Sequence, residues 1–104
     1  MLVVTTETIS GKNIQQLGMV TGNTVRSKNF VKDFGAGMKS IIGGELVSYT
    51  KMLAEARDIA TQRMVEAATA LGADAVVNVR FSSSAIVQGA AEIVVSGTAV
   101  KFVD

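Results

Sequence analysis

From Leu46 to Leu71 the apolar positions step by three or four: Leu46, Tyr49, Leu53, Ala56, Ala60, Met64, Ala67 and Leu71, with Arg57, Asp58, Arg63 and Glu66 falling largely between them. That spacing keeps one face apolar for about seven helical turns. It predicts one long amphipathic helix, supported by Lys51 and Glu55 four apart and stopped by Gly72. Its alanine-rich face permits close approach to whatever it packs on. Upstream, "MLVVTT" is a short β-branched run, and "SGKN" at Ser10 to Asn13 supplies turn chemistry before a second run from Ile14 to about Val25. This reads as a β-hairpin. Gly18 and Gly22 interrupt the second run and predict a bulge or a close backbone approach. Between hairpin and long helix, Phe30, Phe34, Met38, Ile41 and Ile42 share a helical face behind Asn29 as N-cap, which predicts a short helix ended by Gly43 and Gly44.

After the long helix the period falls to two. Val77, Val79, Phe81, Ala85 and Val87 share one parity while Asn78, Arg80 and Ser82 take the other, as in a half-buried strand. Gln88 to Ala90 turn the chain into a last strand, Glu92 to Val103, where the alternation fails. Ile93, Val95, Ala99 and Val103 occupy one face and Val94, Val100 and Phe102 the other, so this strand is expected to be covered on both sides. The order β-β-α-α-β-β reads as a single α+β domain over residues 1–104, with a mostly antiparallel sheet and both helices on one face. Two helices on one face leave the other bare. A second subunit, or an exposed apolar patch marking a binding site, is the expected completion.

Composition strengthens that expectation. In a chain of 104 residues, 48% are hydrophobic and only 18% charged, while a domain of this size buries only about two-thirds of its unfolded surface. Self-association reconciles the two. Ten basic residues against nine acidic ones give a net charge of +1, and the cations are scattered, so nucleic acid is not an expected partner. No apolar run approaches the roughly 18 residues of a membrane span, and the N-terminus lacks a basic export signal, which makes the cytoplasm the expected location. The chain has no cysteine and no histidine. Thiolate catalysis, disulfides, imidazole general bases and the usual soft-metal ligands are therefore outside its repertoire.

The stretch "DFGAGMKSIIGGELVSY", Asp33 to Tyr49, concentrates glycine and charge. Its "DFG" lacks the rest of a kinase. "GMKS" puts Met38 where a phosphate loop needs glycine, and Ser40 stands where a dinucleotide fingerprint needs its third glycine. A nucleotide site is not predicted. The residues with binding chemistry here are Asp33, Lys39, Glu45, Tyr49 and Arg57, a polar set in which Arg57 could grip a carboxylate or phosphate. The competing and stronger reading is structural: Arg57 pairs with Asp33 or Glu45, and Tyr49 faces the core. The nine acids are spread along the chain, the methionines fall at apolar positions, and Ser82 to Ser84 have no histidine to activate them. No catalytic residue, metal ligand or particular cofactor is identified.

Taken together, "DFGAGMKSIIGGELVSY", "LAEAR" at Leu53 to Arg57, "LGADAVVNV" at Leu71 to Val79 and "SGTAV" at Ser96 to Val100 resemble the YbjQ family, small bacterial and archaeal proteins of unassigned function. The resemblance covers nearly the whole chain. It implies a dodecin-like α+β subunit that assembles into a pentameric ring, or a pair of such rings. The family also carries a heavy-metal-binding label, which the residues of this chain do not match. The expected function is accordingly that of a non-enzymatic homo-oligomer whose role belongs to surfaces made by assembly. The alternative is a protein that holds a small ligand or metal at segment 33–57 or between subunits.

Overall fold

The structure is a computed structural model that describes residues 1–27, 42–87 and 90–104, with the main chain alone described for residues 27, 42–49 and 85–87. Its elements are β1 (Leu2–Val3), β2 (Asn13–Ser27), α1 (Ile42–Ala70), β3 (Ala75–Val87) and β4 (Ala90–Val103). The four strands form one sheet in the order β1-β3-β4-β2. β4 is central and antiparallel to both β2 and β3, and β1 runs parallel to β3. The fold is α+β, and the subunit is elongated, 59 × 23 × 18 Å.

The expected N-terminal hairpin does not form. β2 pairs with β4 along its whole length, Asn13 opposite Val103 through Ser27 opposite Ala90, and β1 joins the far edge of β3 instead. "SGKN" does turn the chain, with the Lys12 amide donating to the Ile9 carbonyl at 3.1 Å and Gly11 at φ 74. What overrides local pairing is length: β2 gains a full row of partners from β4 but could find few from a two-residue strand.

The long helix forms as expected and begins earlier. Gly43 and Gly44, expected to end a short helix, lie inside the first turn of α1, and the stretch assigned to that short helix, residues 30–41, is outside the described residues. Met52, Ala56, Ala60, Met64 and Ala68 recur every four residues and are buried against the sheet. The close approach that alanine and glycine permit is realised where α1 crosses β2. A Cβ on Gly22 would run into the Ala60 carbonyl oxygen and the Met64 amide nitrogen. The second interruption, Gly18, marks a bulge where the β2–β4 register shifts.

α1 stops in a left-handed cap. Gly72 has φ 80, its amide donates to the Thr69 carbonyl at 2.9 Å, and the Ala73 amide reaches the Ala68 carbonyl at 3.1 Å. Asp74 then fastens the exit to the central strand: its amide donates to the Val100 carbonyl and its carboxylate accepts the Phe102 amide, both at 2.8 Å. The "LGAD" motif is thus a helix stop followed by a clasp.

β3 breaks the expected parity. Asn78 sits at φ 56 in a bulge between Val77 and Arg80, so Val77 and Val79 belong to different cores. Val79 joins the helix-side core with Val20, Ile93, Val95 and Ala99, whereas Val77 packs with Ala75 and Val100 on the opposite face. The two-sided character of β4 is confirmed at its C-terminal end. The cover on the second face there comes from the same chain, as Val4, Ile9, Ile14 and Phe102 pack over Val100 and Val77. A second subunit is not needed at that end.

Candidate functional site

The five polar residues singled out from sequence do not assemble into a described site. Asp33 and Lys39 lie outside the described residues, and Glu45 and Tyr49 are placed on the first turns of α1 by main chain alone. Arg57 stands further along the same helix with its side chain exposed. At 1.5 Å of rise per residue, Tyr49 and Glu45 are about 12 and 18 Å from Arg57 along the axis. A ligand touching both Glu45 and Arg57 has to span more than three turns. A shallow depression on α1 is lined by Asp58, Thr61, Gln62, Val65, Glu66 and Thr69, all on the helix itself, so it is helix surface rather than an enclosed cavity.

Heavy metals require convergent soft donors, and the chain contains neither cysteine nor histidine. Among the described residues no three carboxylates come together either. Met52 and Met64 are buried in the core about three turns apart, and Met19 is 78% exposed on β2. These thioethers do not converge, and the donors among the described residues do not fit a soft metal held within one subunit.

The polar chemistry that the structure does gather lies on the sheet face away from α1. Register places three cross-strand rows there: Ser84, Glu92 and Val25; Ser82, Val94 and Asn23; Arg80, Ser96 and Thr21. The Asn23 side-chain amide donates to the Glu92 carboxylate at 3.2 Å. Arg80 is committed to structure, since its guanidinium donates to the carbonyls of Thr5 at 3.0 Å and Val79 at 2.8 Å and ties the β1–β2 connection to the bulge. Arg63 reaches from α1 to the Asn23 carbonyl at 2.7 Å, on the free edge of β2. The resulting surface is flat, rich in hydroxyls and nearly neutral. Its seryl half was visible in sequence as the polar parity of β3, but the rows depend on register across three strands and had no linear signal.

Among the described residues no helix is long and apolar enough to cross a membrane. The profile of the YbjQ family, described as "Putative heavy-metal-binding", matches residues 1–103. A UPF0145 protein of Clostridium novyi is 57% identical over 101 residues, covering 97% of this chain and 98% of the relative. One from Vibrio parahaemolyticus is 56% identical over 105 residues with both chains covered in full, and one from the archaeon Methanosarcina acetivorans is 53% identical over 105 residues, covering 100% and 99%. A crystal structure from Pediococcus pentosaceus, described as a protein of unknown function in the DUF74 family, superposes with a TM-score of 0.63 over 99% of this chain and 98% of that one. At 12% identity that likeness speaks for the fold alone.

Proposed function

The chain belongs to the YbjQ family, and from that premise we propose that it acts in the cytoplasm as a non-enzymatic homo-oligomer, a pentameric ring or a pair of rings. Its working surfaces are those that assembly creates, and its partner is itself rather than nucleic acid or membrane. The observation that carries the reading is the half of the sheet made by residues 20–27, 81–87 and 90–97. It has α1 on one face only, and among the described residues no second layer covers the other. Val25 on that uncovered face is 51% exposed. That face is flat, rich in hydroxyls and nearly neutral with Val25 and Val94 among its rows, and a chain with so few charges gains by covering it with copies of itself.

Native mass spectrometry on protein purified without chelators or metal resin tests this reading. A defined multiple of the subunit mass is expected, and a monomer across micromolar concentrations overturns it. The family's description favours a second reading, in which a small ligand or metal is held at segment 33–57 or between subunits. With no thiolate or imidazole in the chain, a metal held this way would be a hard, oxygen-ligated ion shared by several copies. A bound adduct on the assembled mass supports that reading. Calorimetry that stays silent against metals, nucleotides and small acids removes it.

A further inference from the structure

We propose that Met19 is a modification site: the thioether that peroxides oxidise to the sulfoxide in the folded protein while the core methionines stay reduced. The proposal goes beyond the homo-oligomer reading and does not rest on it, since Met19 lies outside residues 20–27 of the surface assigned to assembly.

Alternation along β2 does not by itself turn this methionine outward. Ile14 packs into the core on the sheet face away from α1. Strict alternation from there would carry Gln16, Gly18 and Val20 to that face, and Leu17, Met19 and Thr21 to the helix side. Leu17 obeys and packs against the helix-side core. Then the register shifts, with Gln16 opposite Val100 but Gly18 opposite Ala99, so that β2 spends one residue more than β4. Beyond the shift the parity is reversed. Val20 enters the helix-side core, and Met19 stands on the other face at 78% exposure, the highest of any large hydrophobic side chain among the described residues. Gly18 holds the shift at φ 151, a conformation in which a side chain would be strained. Bulges re-aim side chains in this way. Here the bulge takes a methionine out of the core and sets it in water.

What methionine offers in water, and leucine does not, is a nucleophilic sulfur. A sulfur lone pair attacks one oxygen of the peroxide, and the S–O bond forms as the O–O bond breaks. Sulfur is oxidised by two electrons and the peroxide is reduced. The proton on the transferred oxygen passes through solvent to the leaving oxygen, which departs as water. Access then sets the order of reaction, and Met52 and Met64 are buried where α1 meets the sheet. The product also suits its place. Register sets Thr98 opposite Met19 and Thr21 on the same face, so the polar sulfoxide joins a surface of hydroxyls and water. In the core the same oxygen would be buried without a partner. Met19 therefore takes up oxidant without loss of the fold.

The native protein is treated with hydrogen peroxide for graded times, and oxygen uptake at each methionine is followed by mass spectrometry of the digested chain. Met19 is expected to react several-fold faster than Met52 and Met64, with far-ultraviolet circular dichroism and the urea midpoint unchanged when its conversion is complete. In concentrated urea the three rates should converge. The role of the bulge is read from Leu17→Met in a Met19→Leu background, a swap that conserves volume. Without the bulge, positions 17 and 19 would share a face; with it, a thioether at 17 should react several-fold more slowly than one at 19. Uptake at Met19 no faster than at Met52 and Met64, equal rates at positions 17 and 19, or loss of the fold as Met19 is converted overturns the proposal.

Discussion

The two ends of the sheet are built from the same three long strands but are finished differently. At the end formed by β1, the start of β2, residues 75–79 of β3 and residues 98–103 of β4, helix α1 covers one face and the β1–β2 connection covers the other. At the opposite end only the helix face is covered among the described residues. The closed end completes its core from one chain, while at the open end, among the described residues, the helix covers one face and the other, a mostly polar face with Val25 exposed, has no second layer. The contrast also explains the elongated shape. A helix of 29 residues and strands of 13 to 15 are all about 40–50 Å long, so the layers extend side by side instead of folding back on one another.

Breaking the shared helix-side core is expected to have the largest effect, because both ends depend on it. Met64 is fully buried, and Met64→Ala should lower stability by about 2–5 kcal/mol in urea denaturation at fixed protein concentration. Next is Gly22→Ala, which pushes α1 off β2 and should cost about 1–3 kcal/mol by the same measurement. The comparison between ends is sharpest in one substitution made twice on the sheet face away from α1. Val100→Thr, at the closed end where the side chain is 1% exposed, buries an unpaired hydroxyl and should cost about 1–3 kcal/mol. Asp74→Ala removes the acceptor of the Phe102 amide and should cost about 1 kcal/mol, with faster amide exchange at Phe102. Val25→Thr, the open-end counterpart, should change the stability of the dissociated subunit by less than about 0.5 kcal/mol. Equal losses for the two valine variants would mean that the open end is covered as fully as the closed one.

The legibility of the candidate site followed the same division. The stretch around Asp33, Lys39 and Glu45 stood out in sequence because glycine and charge are concentrated there, yet Asp33 and Lys39 lie outside the described residues. The helix separates Glu45, Tyr49 and Arg57 by whole turns. The polar rows of the open sheet face were harder to foresee. Asn23 and Glu92 are 69 residues apart and meet only through the β2–β4 register. The roles of Arg63 and Arg80 as clamps on backbone carbonyls likewise depend on where α1 and the β1–β2 connection come to lie.

Sequence by itself determined the features that depend on neighbours a few positions away. These are the long helix with its alanine face, the stop at Gly72, the interruptions at Gly18 and Gly22, the two-sided last strand and the absence of soft-metal and imidazole chemistry. Only the tertiary structure decided that β1 leaves β2 for the edge of β3, that a bulge at Asn78 sends Val77 and Val79 to opposite cores, and that the second face of β4 is covered by its own chain at one end and, among the described residues, by no second layer at the other. The physical reason is range. Periodicity and capping are settled by steric contacts within a turn or two, whereas strand partners are chosen by the total backbone pairing and apolar area that distant segments can offer one another.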